Sequence, residues 1–163
     1  MNDRLQQAAV QAVSNVFETM FFVFLEPLPP EEEGIVPTAT DGEWLHCLIG
    51  FAGRIRGKLR LWIPYGLACE LATNFLGLET GASASQALDM VKELANMICG
   101  NLFSIFDKQQ TYILDLPTAE LVPVGPEGGN SGSAETLGLN FLAEEQRIRL
   151  EVEWGTSPPA RTI

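Results

Sequence analysis

Residues 43–63 read EWLHCLIGFAGRIRGKLRLWI. In the second half, Ile55, Leu59, Leu61 and Ile63 alternate with Arg54, Arg56, Lys58 and Arg60, so one face is apolar and the other basic. That period of two is the mark of a half-buried strand. Glu43 to Phe51 reads as its neighbour, and the Ala52-Gly53 step between them predicts a tight antiparallel hairpin. The fold is read outward from this pair of strands.

Upstream, Leu5, Ala9, Ala12, Val13, Val16, Phe17, Met20 and Val23 recur at helical spacing, which predicts a helix over Arg4 to Phe24. Glu26-Pro-Leu-Pro-Pro-Glu-Glu-Glu-Gly34 then breaks it and reads as a stiff acidic loop. Downstream, Pro64 stands where a helix can start. Tyr65 to Leu76 has helical spacing and Gly77 can close it. A longer helix runs from about Ala84 to Phe106. Three strands follow, at Glu120 to Val124, Thr136 to Ala143 and Gln146 to Trp154. Gly125 to Ser133 reads as a flexible Gly-rich loop. The expected layout is one domain over residues 1–154 with a flexible tail over 155–163. Helix, two strands, two helices and three strands give an α+β protein, its helices packed on a mainly antiparallel sheet.

The composition narrows the function. With 163 residues and 46% apolar side chains, the chain can build one real core. A net charge of −11 repels nucleic acid and anionic membranes, and it lends no attraction to an acidic protein partner either. The longest apolar run, Met20 to Leu25, is too short to span a bilayer, and Met1 to Gln7 does not read as a signal peptide. Cys47, Cys69 and Cys99 each sit among apolar neighbours, which argues against a disulfide framework or a metal site. The lone His46 lies in a strand and reads as structural. A cytoplasmic location is expected.

The chemistry is carried by the long helix. Asp89, Glu93, Asn96 and Gly100 stand at i, i+4, i+7 and i+11, within about 60° of arc. Ala87, Val91, Leu94, Ile98, Leu102 and Ile105 form the opposite, buried face. Any amphipathic helix has a polar face, but two residues here go further. Asn is a poor mid-helix residue, and Gly costs about 1 kcal/mol there relative to Ala. A bare Gly100 lets another molecule come close to the Asn96 amide. A carboxylate and an amide one turn apart can hold a cationic partner group and a water together. In the first helix Ser14, Glu18 and Phe21 repeat the i, i+4, i+7 spacing with Phe21 in place of the amide. Each of these helices leads into strands, which points to an internal duplication with one functional copy.

At this point the sequence resembles a known family. Asp89-Met-Val-Lys-Glu93-Leu-Ala-Asn96 is similar to the D/S-x-x-x-E-x-x-N signature of the CheC/CheX chemotaxis phosphatases, and Met97-Ile-Cys-Gly100-Asn101 extends it. Gly53-Arg-Ile-Arg-Gly57-Lys-Leu-Arg-Leu-Trp-Ile-Pro64 resembles the strand that leads into the family's second helix. A single complete signature resembles CheX rather than CheC, whereas Pro117 stands slightly closer to Asn96 than the family's usual proline. The resemblance implies a CheC-like fold with a degenerate internal repeat. It also implies a phosphatase acting on the aspartyl phosphate of a response-regulator receiver. Asn96 would then orient the attacking water, Glu93 would pair with the regulator's active-site Lys, and Asp89, Gly100 and Asn101 would support docking. No metal would be held by this chain, because the regulator supplies its own Mg²⁺. A homodimer joined edge to edge is implied too, and Gln146 to Trp154 is expected to form the seam. The alternative is a non-catalytic CheC-like or flagellar-switch-like binding module in two-component signalling.

Overall fold

The computed structural model describes residues 2–28, 42–126 and 135–156. Its elements in chain order are α1 (Asn2–Phe21), β1 (Glu26–Leu28), β2 (Trp44–Ala52), β3 (Ile55–Pro64), α2 (Tyr65–Leu76), α3 (Ala84–Phe106), β4 (Ile113–Leu114), β5 (Thr118–Val122), β6 (Thr136–Ala143) and β7 (Gln146–Thr156). The α+β class follows directly: three helices lie on one antiparallel sheet.

Local chemistry sets most of the boundaries. Pro64, at φ −56°, leads into α2. The helix closes on Gly77, whose left-handed φ of 66° lets Gly77 N–H donate to Asn74 and Leu78 N–H to Thr73. At the head of α3, Ser83 Oγ accepts from Gln86 N–H at 3.1 Å, and the Gln86 side chain accepts from Ser83 N–H at 2.9 Å. This reciprocal box satisfies two of the donors that a helix start leaves open. The β6–β7 hairpin turns on Glu144 and Glu145, both left-handed at φ 51° and 69°.

The sheet order is β1-β6-β7-β3-β2-β4, and β5 also pairs with β2. With β5 taken as the outer neighbour of β2, exchanging α1 with α3, the β2–β3 hairpin with β6–β7, and β1 with β5 reverses the order β1-β6-β7-β3-β2-β5 and leaves it unchanged. The degenerate repeat expected from the two helix patterns is therefore written into the topology. Cys47, Ile49 and Phe51 of β2 turn inward, with Leu59, Leu61 and Ile63 of β3 and Ile148, Leu150 and Val152 of β7. They meet the apolar faces of α1 and α3 in one core.

Several expectations need correction. α1 stops at Phe21 rather than Phe24, because Phe22 takes a left-handed φ of 56°. Glu26 to Leu28, read as loop, form a short strand on β6. The rest of that acidic stretch lies outside the described residues, as do 127–134 of the Gly-rich loop. β5 begins at Thr118, earlier than Glu120, and is preceded by the two-residue β4. β7 runs two residues past Trp154, so Gly155 and Thr156 belong to the sheet rather than to a tail; residues 157–163 lie outside the described residues.

The largest correction concerns β7 as a dimer seam. It is interior, paired with β3 on one side and β6 on the other, so it has no free edge to offer. The alternating charges read as available for a second chain are engaged within this one. Arg147 and Arg149 are buried. Arg147 donates to the Pro126 carbonyl at 3.1 Å, Arg149 Nε donates to Glu151 at 2.9 Å, and Arg60 pairs with Glu153 at 2.8 Å.

Candidate functional site

Helix α3 presents the candidate residues. Its buried stripe of Ala87, Val91, Leu94, Ile98 and Leu102 faces the core, and that fixes the opposite side outward. Asp89, Glu93, Asn96 and Gly100 are all exposed along that outer side, as their spacing predicted. Asn101 is not with them. It is half-buried and about 100° further round the helix from Gly100.

The four outward residues are in different states. Asp89 Oδ1 lies 3.8 Å from Lys92 Nζ, one turn along. Among the described residues, the Glu93 carboxylate and the Asn96 amide have neither hydrogen-bond nor ion-pair partners. At Gly100, an added Cβ would meet no heavy atom within 4 Å. Nothing among the described residues therefore requires glycine there, although glycine weakens the helix. Lys92 is the member of the site that the helical stripe did not select. It lies inside the octet, and an i, i+3 acid–base pair was legible there.

The corresponding face of α1 has taken another course. Glu18 remains exposed and Ser14 is half-buried. Phe21 is buried, with its ring edge-on to Phe17 at 5.4 Å and to Phe75 at 6.0 Å. The position that holds the amide on α3 serves the core on α1, so only α3 carries the complete set.

Cavities lined by described residues lie away from the outer side of α3. One, of about 210 Å³, lies among Arg60, Gly138, Arg149 and Glu151; another, of about 420 Å³, lies along Asp3 to Gln11 of α1. Residues raised on an exposed helix cannot enclose a small substrate, but they can enter a cleft on another protein. Among the described residues, no three His, Cys, Asp or Glu side chains gather as a metal site would require. Cys47 and Cys99 are buried and their thiols are pushed up to about 12 by desolvation, which makes them poor nucleophiles. His46 is held in the sheet, its ring 4.2 Å from that of Trp62 and its Nδ1 3.6 Å from Glu120. Among the described residues, no helix is long and apolar enough to cross a membrane.

Comparison with known proteins places these observations. Residues 45–119 match the family model "Chemotaxis phosphatase CheX", a span that runs from β2 through α3 and includes the whole signature. The fold is similar to that of the chemotaxis protein CheX from Vibrio vulnificus, at 23% identity and a TM-score of 0.68, covering 93% of this chain and 96% of that one. CheX from Desulfovibrio desulfuricans is 15% identical with a TM-score of 0.70, covering 93% and 99%. The CheX of a CheX–CheY–BeF3–Mg²⁺ complex from Borrelia burgdorferi is 15% identical with a TM-score of 0.63, covering 91% and 96%. No curated protein sequence matches the chain.

Proposed function

The chain is CheX/CheC-like in its signature segment and in its fold, and from that premise we propose that it is a phosphatase for the aspartyl phosphate of a response-regulator receiver. The observation that carries the proposal is the pairing of Glu93 and Asn96, three residues apart on the outer side of α3, both exposed and both without a partner among the described residues. The crystallised complex of a CheX with a CheY supports a receiver as the partner.

The chemistry asks little of this protein. An aspartyl phosphate is a labile acyl phosphate, and its receiver holds a Mg²⁺ ion and a Lys beside it. A helper accelerates hydrolysis by placing water in line with the phosphorus–oxygen bond. Asn96 enters the receiver's cleft, and its side-chain carbonyl accepts a hydrogen bond from that water. The water oxygen attacks phosphorus, the bond to the aspartyl oxygen breaks, and inorganic phosphate leaves with the proton going to solvent. Glu93, without a partner among the described residues, pairs with the receiver's Lys and fixes the approach. Asp89, already neutralised by Lys92, sits at the rim. Gly100, one turn beyond Asn96, leaves room for the receiver's backbone. No metal on this chain takes part.

A homodimer belongs to the same proposal, with its seam at an outer strand. The candidate edge is β5, which pairs with β2. Light scattering at micromolar concentration tests it: a mass near twice the 17.8 kDa chain is expected, and a monomer mass overturns it.

The function is tested by following phosphate loss from phosphorylated receiver domains with and without the protein. Acceleration is expected for the cognate receiver. Binding without acceleration would make this a non-catalytic signalling module of the same fold.

A further inference from the structure

Phe22 and Phe24 leave α1 with 85% and 77% of their surfaces in solvent, far more than the other aromatic residues near the helix ends. Phe75 and Leu76, at the end of α2, are also exposed, and Phe75 packs against Phe21. Together they form an apolar patch at the point where α1 and α2 finish. Isolated exposed apolar side chains need no explanation, but a cluster of four does.

Phe22 adds a second observation. Its φ of 56° is left-handed, a conformation that glycine or asparagine adopts readily after a helix and a bulky aromatic does not. The ring gains little burial among the described residues in exchange. A left-handed and exposed aromatic residue of this kind points to a role outside the packing of the fold.

The patch adjoins the α3 site. Arg4 donates to the Phe106 carbonyl at 2.8 Å, so α1 begins where α3 ends, and since the two helices also pack extensively against each other they run in opposite directions. Seventeen residues along α1 from Arg4 is Phe21, and seventeen residues back along α3 from Phe106 is Asp89. Equal rise per residue puts the patch level with the first residue of the polar stripe, about one helix diameter to the side.

We propose that Phe22, Phe24, Phe75 and Leu76 are the apolar half of the surface that receives the phosphorylated regulator. The proposal rests on the regulator-phosphatase reading and goes beyond it by naming a second contact. A specific interface buries about 800 Å² on each partner, and its core is apolar and rich in aromatics. Asp89, Glu93, Asn96 and Gly100 supply a polar rim and the reacting group, but no apolar anchor. The patch supplies that anchor beside them. The occupant is the receiver, on a surface next to its phosphorylated aspartate.

The test combines Phe22→Asn and Phe24→Ser in one protein and compares it with wild type in steady-state dephosphorylation of a receiver. A KM raised tenfold or more, with a much smaller change in kcat, is expected. Phe22→Asn alone is the second variant. It should raise Tm by removing the left-handed strain while still weakening KM, which a residue serving only the fold would not do. A KM within twofold of wild type in the double variant overturns the proposal, even where Asn96 proves essential. A change in oligomeric mass also overturns it, because the patch would then belong to a second copy. Titration with beryllofluoride-activated receiver separates the remaining outcomes. Wild type that binds without turnover sinks the phosphatase reading, and the patch is then decided by whether the double variant binds more weakly. Wild type that binds no receiver overturns both.

Discussion

Lys92 Nζ lies 3.8 Å from Asp89 Oδ1, so the cation inside the signature octet pairs with the first carboxylate, while the second, Glu93, has no partner among the described residues. The two acids on one stripe thus stand in different surroundings. Glu93 is the one available to a cation on another protein.

Glu93→Ala is therefore expected to raise KM for the phosphorylated receiver by about tenfold, as loss of a charge-assisted contact would. The wild-type interaction should weaken as salt rises, and the variant should show a shallower dependence. Asp89→Ala should change KM by less than Glu93→Ala. Steady-state assays at two ionic strengths check this, and equal effects from the two substitutions would contradict it.

Gly100→Leu separates stability from function. An added Cβ meets no heavy atom within 4 Å, and leucine favours a helix over glycine by up to about 1 kcal/mol. The variant should unfold at higher urea concentration yet lose tenfold or more in turnover, since the receiver must approach that bare backbone. A stabilised variant with full activity would remove Gly100 from the interface.

Gly57 offers the reverse case, a glycine required by the fold. A Cβ there would overlap the main-chain carbonyl of Glu153 on the adjacent strand β7. Neither strand can withdraw, because both are interior to the sheet. Gly57→Ala should cost about 3 kcal/mol or more, read as a lower urea midpoint.

His46 should make stability depend on pH. Burial lowers its pKa from the ordinary 6.5, against the opposing pull of the nearby Glu120 carboxylate. The unfolded chain then takes up the proton more readily than the folded one. The stabilisation is whole above pH 6.5 and is lost as the pH falls below it. Between pH 7.5 and 5.5, wild type should lose more Tm than His46→Gln; equal losses would contradict this.

What the sequence showed and what it hid divide along physical lines. The bounds of α3 were legible because Ser83 and Gln86 cap it and its apolar face repeats without a break. The polar stripe followed from the same period. The end of α1 was hidden because Phe22, with no glycine to signal it, takes the left-handed conformation that stops the helix. β1 was hidden because three residues containing a proline carry no strand pattern of their own; β6 provides it. The central place of β7 could not be read from its alternation, which is the same for an edge strand and an interior one. The order of strands in the sheet decides this. Arg147 and Arg149 look solvent-facing in sequence and are buried only because that order surrounds them.

The central claim is that the Asn96 amide positions the attacking water. Loss of phosphate from a phosphorylated receiver, measured with wild type and with Asn96→Ala at equal concentration, tests it most directly. The substitution should leave the fold intact and slightly stabilise the helix, because alanine favours a helix over asparagine. Acceleration should fall on the order of 10²-fold or more. A folded Asn96→Ala protein that retains near-full acceleration would contradict the account.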